Sequence, residues 1–238
     1  MSETSTFDDP KMVVGRTAAD ECVESGMRVG MGTGSTAVWA IRRIGERIAA
    51  GELRDIVAVT TSSQSDIACF RAGIPPTSLG DPRVGGQLDL VVDGADEVDR
   101  NNRLIKGGGA ALLREKVCAY AAERVVICVT PEKHVEHLGL AFPVPLEVVP
   151  FALEPVRKRL RDRGFEVVLR EGSGKMGPVV TDNGNYILDI RFGAPQDVVA
   201  LETEVERVPG VASFGIFAAR RFDIYTAELD GTITRTRA

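Results

Sequence analysis

Short apolar runs alternate with helical patterns over the first 140 residues of this chain. The runs are rich in Val and Ile and read MRVGM (27–31), DIVAVT (55–60), LDLVVD (88–93) and VVICVT (125–130). Apolar residues recur at helical spacing over 9–25, before the first run, and then between the runs, over 36–49 and in a segment that begins near Ser62. Such runs are typical of parallel strands buried on both faces. The pattern predicts an α/β, Rossmann-like domain that binds ligands in loops at the carboxyl ends of its strands.

The rhythm changes after residue 142. Strand-like and helical stretches follow in the order LEVVP, FALEPVRKRLRDRG, FEVVLR, YILDIRF, DVVALETEVERVPG and VASFGIFAA, with the polar loop EGSGKMGPVVTDNGN before YILDIRF. This order predicts a smaller, ferredoxin-like βαββαβ domain. The terminal piece FDIYTAELDGTITRT has strand character and is expected to return to the first domain. We therefore expect a Rossmann-like domain of residues 1–142 and 221–238 and a ferredoxin-like domain of residues 143–220.

Charge and cysteine usage narrow the classes of function. The net charge is -5 and no basic block is present, which argues against nucleic acid as the main partner. The four cysteines are scattered in apolar or helical contexts and are expected to be buried thiols of a reducing compartment. The first residues do not resemble a signal peptide, and no apolar run approaches the roughly 18 residues that cross a bilayer. We expect a cytoplasmic protein without a membrane partner.

The segment GMGTGSTA, residues 30–37, follows the first strand and opens a helix. Backbone N–H groups of a glycine-rich turn at a helix N-terminus bind phosphate or other anions, and Thr33, Ser35 and Thr36 add hydroxyl donors. The segment is a poor dinucleotide fingerprint, because Ser35 replaces the third glycine, and it lacks the Walker lysine. The alternative is a tight turn that ends in an N-cap hydroxyl.

Two further polar segments follow predicted strands. TTSSQS, residues 60–65, is typical of helix capping, although a ligand role is also open. DGADEVD, residues 93–99, places several carboxylates at a strand end, where crowding raises at least one pKa unless a cation is near. It is either an acidic turn or a functional site. A metal site fits the number of carboxylates, but no histidine lies nearby.

The stretch KGGGAALLREK, residues 106–116, places three costly glycines between a lysine and a helix. If the segment were helical throughout, Glu115 would lie roughly 13 Å from Lys106 along the axis. A glycine loop that doubles back would bring both residues to one pocket. The residue pattern alone favours a solvated helix face for Glu115.

The segment TPEKHVEHLG, residues 130–139, is expected to begin a helix after the fourth strand. Lys133 would lie in its first turn, where a lysine opposes the helix dipole and suggests an anionic partner. His134 and His137 could in principle bind a metal, but without a third ligand nearby they are expected to be surface histidines.

Taken together, these segments resemble ribose-5-phosphate isomerase of the type A family. The resemblance covers most of the chain and is carried by GMGTGSTA, DGADEVD, KGGGAALLREK, EKHVEHLG and VVTDNGNYILDI. The most specific feature is KGGGAA followed by REK, downstream of DGADE.

The resemblance implies an aldose–ketose isomerase of the pentose phosphate pathway. It would interconvert D-ribose 5-phosphate and D-ribulose 5-phosphate through an enediolate, without a metal ion or organic cofactor. The family's general base matches Glu115, which reverses the expectation of a solvated side chain. Lys106 would stabilise negative charge, and Asp93 and Asp96 would handle hydroxyl protons and ring opening. The implied substrate-binding residues are Thr33, Gly34, Ser35, Thr36, Asp93, Gly94, Ala95, Asp96, Lys106, Gly107, Gly108, Gly109 and Lys133.

Two other functions compete with this interpretation. One is another phosphosugar enzyme on a related fold, such as an amino-sugar phosphate isomerase–deaminase, which usually recruits a histidine. The other is a sugar-phosphate-sensing module without catalysis, which would need no base. The resemblance also implies a homodimer or homotetramer as the assembly.

Overall fold

The computed structural model describes residues 9–174 and 176–237. The chain forms two compact units, and each is considered by itself. The described residues of the first unit come from Met1–Gly94, Cys118–Glu132 and Phe222–Ala238. Those of the second unit come from Ala95–Val117 and Lys133–Arg221.

The predicted domains divide the chain at other positions. Residues 95–117 and 133–142 belong to the second compact unit, whereas the sequence groups them with the first domain. That the chain divides at residues 142 and 221 into parts that fold independently stays a prediction. Residues 1–8, 175 and 238 of the predicted domains lie outside the described residues.

Apart from the helix expected after the fourth strand, the predicted helices are present in the described residues, with slightly shorter bounds. They are α1 (Pro10–Cys22), α2 (Ala37–Ala49), α3 (Ser63–Arg71), α4 (Leu112–Ala121), α5 (Leu153–Asp162) and α6 (Val198–Glu206). Two 3-10 turns cover Pro131–Lys133 and Pro150–Ala152. Within the described ranges, none of the helices has the length and apolar character needed to cross a membrane.

The strands complete the framework. They are β1 (Arg28–Met31), β2 (Val57–Thr60), β3 (Pro76–Thr77), β4 (Leu88–Asp93), β5 (Glu97–Val98), β6 (Leu104–Ile105), β7 (Ala122–Val129), β8 (Val144–Val148), β9 (Glu166–Leu169), β10 (Tyr186–Arg191), β11 (Val211–Phe214), β12 (Ile216–Phe217), β13 (Asp223–Ala227) and β14 (Ile233–Thr236).

The first unit is built on a parallel sheet with strand order β14-β13-β7-β4-β1-β2-β3. Among the strands that the structure describes in this sheet, only the edge strand β14 is antiparallel to its neighbour. Both faces of the central strands are buried, since Val91 and Val92 of β4 point in opposite directions and are 1% and 2% exposed. The predicted parallel sheet is confirmed, as is the return of the last residues to it through β13 and β14.

The second unit contains an antiparallel sheet with strand order β11-β8-β10-β9. Helix α5 connects β8 to β9, and α6 connects β10 to β11, which is the predicted βαββαβ arrangement. Its core joins Leu146 of β8 and Leu188 of β10 to Leu160 of α5 and Val205 of α6.

A third, small sheet also belongs to the second unit and has strand order β12-β6-β5. The predicted final strand of that domain is divided at Gly215, where the chain leaves β8 and pairs with β6. A side chain at Gly215 would lie 2.6 Å from the Lys106 carbonyl oxygen and 2.7 Å from the Pro145 carbonyl oxygen. Glycine at this position therefore permits three backbone segments to approach closely. The close approach fixes the backbone at Lys106, just before the glycine run.

The prediction of a helix after the fourth strand is wrong. Only Pro131–Lys133 is helical, as a 3-10 turn, and the chain then pairs with β5. His134 bridges Val98, and the N–H of Val135 donates to the Val98 carbonyl at 2.9 Å. Tertiary strand pairing therefore replaces the helical hydrogen bonds that the local sequence favours. The helix-dipole argument for Lys133 is lost with that helix.

The expected burial of the cysteine thiols and the expected exposure of the two histidines are confirmed. Cys22, Cys69, Cys118 and Cys128 are buried thiols, and burial raises the pKa of the Cys69 thiol to about 12. His134 and His137 are exposed.

Candidate active site

In the first unit, the glycine-rich loop after β1 lies against the end of β4. A side chain at Gly32 would lie 2.3 Å from Oδ1 of Asp93, so only glycine fits there. The N–H of Thr33 donates to the same oxygen at 3.1 Å, and Gly34 adopts a φ of 109°. Asp93 is 1% exposed and also accepts the N–H of Gly94 at 2.8 Å. Asp93 therefore fixes the backbone of both loops.

Hydroxyl groups from the segment after β2 also hold this loop. The Thr33 hydroxyl donates to Oγ of Ser62 at 2.6 Å and lies 2.7 Å from Oγ1 of Thr61. The N–H of Gly34 donates to Oε1 of Gln64 at 2.8 Å. Ser62 and Ser65 form a capping box for α3, as expected for a hydroxyl-rich helix start. The contacts with Thr33 are an additional role that the sequence pattern did not indicate.

The remaining hydroxyls of the loop lie at the start of α2. Thr36 is the N-cap residue, but its side chain makes no cap hydrogen bond among the described residues. The alternative interpretation, in which a hydroxyl at the end of this turn caps the helix, is therefore wrong. Ser35 is exposed, and its Oγ accepts a hydrogen bond from Nζ of Lys11 at 3.3 Å. A cation and a hydroxyl therefore lie beside the N-terminus of α2, where an anion is favoured.

The carboxylates of the acidic segment that lie in the second unit, those of Asp96, Glu97 and Asp99, contact different partners. Oδ2 of Asp96 accepts the N–H of Gly108 at 2.7 Å. Glu97 is 2% exposed and accepts the N–H groups of Gly139 and Phe142, each at 2.7 Å. Burial raises the pKa of the Glu97 carboxyl, and these amide hydrogen bonds act in the opposite direction. Asp99 accepts the backbone N–H groups of Asn101 and Arg103, each at 2.9 Å, and pairs with the guanidinium of Arg103.

This dispersal bears on the suggested metal site. Among residues 9–174 and 176–237, no three His, Cys, Asp or Glu side chains are grouped so that they could hold a metal ion. Glu97 and Asp99 are structural carboxylates of β5 and the following turn. Asp96 is only partly buried and is the carboxylate of 96–99 that contacts the glycine run.

The glycine run of the second unit turns the chain back before α4 begins. Gly107 has a φ of 104°, Ala110 has a φ of 59°, and the N–H of Ala110 donates to the Gly107 carbonyl at 3.0 Å. As a result, Nζ of Lys106 lies 3.5 Å from Oε1 of Glu115, and the two residues are 4% and 5% exposed. The solvated helix face predicted from the residue pattern alone is therefore wrong for Glu115.

The neighbouring lysine of α4 has a structural environment. Nζ of Lys116 contacts Oε1 of Glu202 at 2.8 Å and Oε1 of Glu206 at 2.6 Å, and donates to the Ile216 carbonyl at 2.7 Å. It also lies 4.6 Å from the centre of the Phe217 ring, while Nζ of Lys106 lies 6.0 Å from it. Lys116 therefore ties the start of α4 to α6 and β12.

Arg170 is a partner of the glycine run that sequence reasoning missed. Its Nη1 donates to the Gly107 carbonyl at 2.9 Å and to the Gly108 carbonyl at 3.0 Å. The other side of the guanidinium pairs with Asp189. In the sequence, Arg170 is only the charged end of FEVVLR, so no local signal links it to residues more than 60 positions away.

The predicted site residues are thus placed in two sets. Within the first unit, the structure joins Thr33 and Gly94 to Asp93. Within the second unit, it joins Asp96 to Gly108, and Lys106 to Glu115. Gly109 is exposed, Ala95 is partly buried, and Lys133 is the last residue of its 3-10 turn and is partly exposed.

Comparisons with known proteins all indicate the same family. The family model for ribose 5-phosphate isomerase A (phosphoriboisomerase A) matches residues 57–231. Ribose-5-phosphate isomerase A of Thermosynechococcus vestitus is 48% identical over 207 residues, which are 87% of this chain and 86% of that protein. Its counterpart in Treponema denticola is 45% identical over 210 residues, 87% of this chain and 88% of the other.

Solved structures agree with this result. Ribose 5-phosphate isomerase from Plasmodium falciparum has a TM-score of 0.91 and 33% identity, with 98% of this chain and 99% of that chain covered. A D-ribose-5-phosphate isomerase in complex with phospho-erythronic acid has a TM-score of 0.90 and 37% identity, with 96% and 98% covered. By sequence over most of its length, and by fold, this chain belongs to the ribose 5-phosphate isomerase A family.

Proposed function

We propose that the protein interconverts D-ribose 5-phosphate and D-ribulose 5-phosphate through an enediolate; its relatives are named ribose-5-phosphate isomerase A. The observation that carries the chemistry is the buried contact of 3.5 Å between Lys106 and Glu115. A carboxylate beside an ammonium group supplies both a base and a positive charge within a few ångströms. An aldose–ketose isomerisation by proton transfer uses a base at C1 and C2 and positive charge near O1 and O2.

Glu115 is the proposed general base. The C–H next to a carbonyl is a weak acid, so a carboxylate must be held against C1 and C2 to carry a proton between them. Its position in the first turn of α4 and its burial hold this carboxylate in one place. Enclosing the site would limit loss of the intermediate.

Lys106 is the proposed stabiliser of the charge that develops on O1 and O2. Preorganised donors at such positions are often a large catalytic contribution. The amides of Gly107, Gly108 and Gly109 are the other candidates. Since the Gly108 N–H donates to Asp96, substrate would have to replace that carboxylate before this amide could bind an oxyanion. We therefore assign the larger contribution to Lys106.

Asp93 and Asp96 receive different roles. Asp93 is buried and accepts two backbone N–H groups, so we propose that it orders the loop with Thr33 and Gly94. Asp96 is partly buried and is the better candidate for moving hydroxyl protons during ring opening. The proposed phosphate-binding groups are Thr33, Gly34, Ser35 and Thr36, because they combine hydroxyls with a helix N-terminus. Ala95 and Lys133 complete the proposed substrate-binding set.

One relative was solved with phospho-erythronic acid bound. This compound carries a carboxylate and a phosphate, so it offers negative charge at both ends of a sugar-like chain. We propose that it binds this protein in competition with ribose 5-phosphate. We also propose that the protein acts in the cytoplasm as a homodimer or homotetramer, and that it needs no metal or organic cofactor.

A coupled assay that follows ribulose 5-phosphate tests this proposal. Purified protein is supplied with ribose 5-phosphate, with and without EDTA, and folding is checked by circular dichroism. We expect equal turnover in both conditions. Folded protein that binds the sugar without turnover would favour a sensing module, and turnover abolished by EDTA would contradict a metal-free reaction. Ammonia released from an amino-sugar phosphate, with no turnover of ribose 5-phosphate, would favour an isomerase–deaminase.

A further inference from the structure

Arg170 and Asp189 form a fork-to-fork ion pair in the second unit. Nε of Arg170 donates to Oδ2 of Asp189 at 2.8 Å, and Nη2 donates to Oδ1 at 2.5 Å. The two side chains are 16% and 20% exposed. Arg170 follows β9, and Asp189 lies on the neighbouring strand β10, so the sheet fixes the carboxylate and the carboxylate fixes the plane of the guanidinium.

The remaining terminal nitrogen of this guanidinium reaches the glycine run. Nη1 donates to the carbonyl oxygens of both Gly107 and Gly108, at 2.9 and 3.0 Å. Three consecutive glycines have more backbone freedom than any other tripeptide, so a packed contact is needed to select one conformation. A single Arg170 nitrogen supplies that contact for two successive peptide groups.

Peptide planarity converts these contacts into a direction for the amides. In a trans peptide the C=O and the following N–H point in opposite directions. When the Gly107 carbonyl points towards Arg170, the N–H of Gly108 points away from it, and it meets Asp96. By the same geometry the N–H of Gly109 points away from Arg170. Hydrogen bonding to a carbonyl also polarises its peptide group, which makes the following N–H a stronger donor.

We propose that Arg170, oriented by Asp189, is a positioning residue for the isomerase reaction. It does not touch the substrate. It holds residues 107–109 so that the N–H groups of Gly108 and Gly109 point away from Arg170, and it thereby fixes the chain on which Lys106 approaches Glu115. This role rests on the proposed isomerase function. A lysine at this position could not perform it, because one ammonium group cannot bind two carbonyls and a carboxylate in a planar fork.

The competing role is a structural ion pair that only joins two strands. The first unit offers a matched control, because Nε of Arg124 on β7 donates to Oδ2 of Asp223 on β13 at 2.8 Å. Arg124 also joins neighbouring strands through a carboxylate, and it lies in the other compact unit from the glycine run. Arg124→Ala therefore reports the effect of losing such a pair without disturbing the run.

The test compares Arg170→Ala, Arg170→Lys and Asp189→Asn with wild type and with Arg124→Ala. Steady-state kinetics give kcat and KM, thermal unfolding gives Tm, and amide hydrogen exchange follows the peptide that covers 106–111. We expect Arg170→Ala and Arg170→Lys to lower kcat by roughly 10- to 100-fold, the effect of a small misplacement of catalytic groups. KM should change much less, and exchange in 106–111 should become faster. Asp189→Asn should show a smaller loss of kcat, and Arg124→Ala should keep the wild-type kcat.

Three outcomes separate the hypotheses. If Arg170→Lys and Asp189→Asn fold and retain wild-type kcat and exchange, the positioning role is overturned even if Arg170→Ala does not fold. If Tm falls in every arginine variant while kcat does not change, the pair is only structural. If folded wild-type protein does not turn over ribose 5-phosphate, the proposed function itself fails, and the positioning role in that reaction fails with it.

Discussion

Nζ of Lys106 lies 3.5 Å from Oε1 of Glu115, although a run of three glycines and the start of a helix separate them in the sequence. The contact exists because Gly107 and Ala110 both adopt positive φ, which reverses the chain before α4. The two residues are almost completely buried. A buried carboxylate and a buried ammonium group in contact are costly to desolvate, and such pairs are common at sites where charge moves during a reaction.

Replacing Lys106 with methionine should remove most of the charge stabilisation. We expect Lys106→Met to lower kcat by roughly 100- to 1,000-fold, the range for loss of one oxyanion donor. The variant should also lose about 3–5 kcal/mol in its free energy of unfolding, since Glu115 loses its buried cation. Steady-state kinetics well below each Tm, with urea unfolding, measure both effects. Lys158→Met is the control, because the Lys158 side chain is 76% exposed on α5. A wild-type kcat in Lys106→Met would contradict the role assigned to Lys106.

Gly108 should not tolerate a side chain. A Cβ atom there would lie 2.5 Å from Oδ1 of Asp96, so Gly108→Ala must displace either the carboxylate or the glycine run. We expect a loss of roughly 10-fold or more in kcat/KM, with little change in Tm because Gly108 is exposed. The matched control is Gly172→Ala, whose Cβ would meet its nearest atom, Cγ2 of Val179, at 3.8 Å. Equal kinetics for the two alanine variants would show that the contact with Asp96 is unimportant.

The pH dependence of stability should reveal the ion pair between Arg28 and Asp89 in the first unit. Side-chain hydrogen bonds from Arg28 lower the pKa of the Asp89 carboxyl below its ordinary value, and the Arg28 backbone N–H adds a bond of 2.6 Å. A lowered carboxyl pKa stabilises the fold above the ordinary value near 4, and this stabilisation is lost as the pH falls towards the folded-state pKa. Asp89→Asn should therefore cost about 1 kcal/mol at neutral pH and progressively less in acid.

Urea unfolding between pH 7 and pH 3 measures that difference. Asp162→Asn serves as the control, because the Asp162 side chain is 61% exposed. A cost for Asp89→Asn that stays constant or grows as the pH falls would contradict the assigned ion pair.

The parallel sheet could be predicted well because each of its strands is indicated by the residues of that strand alone. LDLVVD is β4 (Leu88–Asp93) residue for residue, and a strand buried on both faces needs only a run of apolar, β-branched side chains. The βαββαβ order was predictable for a similar reason, since each helix and strand shows its own periodicity.

What the sequence did not predict depends on contacts between distant residues. The helix expected after Thr130 gave way to pairing of Val135 with Val98, because a strand edge satisfied the same backbone groups. The break at Gly215 depends on Lys106 and Pro145 approaching it from other parts of the chain. The left-handed conformation of Ala110 is likewise unusual for a residue with a side chain. For this reason the pattern alone predicted a solvated Glu115, and only the family resemblance indicated the role that we propose for it.

The most direct test of the proposed mechanism is proton exchange at the substrate carbon in Glu115→Gln. Glutamine keeps the shape of the side chain but cannot accept the proton. In deuterated water with ribose 5-phosphate, we expect deuterium incorporation and turnover to fall by roughly 100- to 10,000-fold, the range for loss of a general base. Calorimetry should show that substrate still binds, and Glu154→Gln, whose side chain is 69% exposed on α5, should exchange at the wild-type rate. Deuterium incorporation by Glu115→Gln at a rate close to wild type would show that another group is the base.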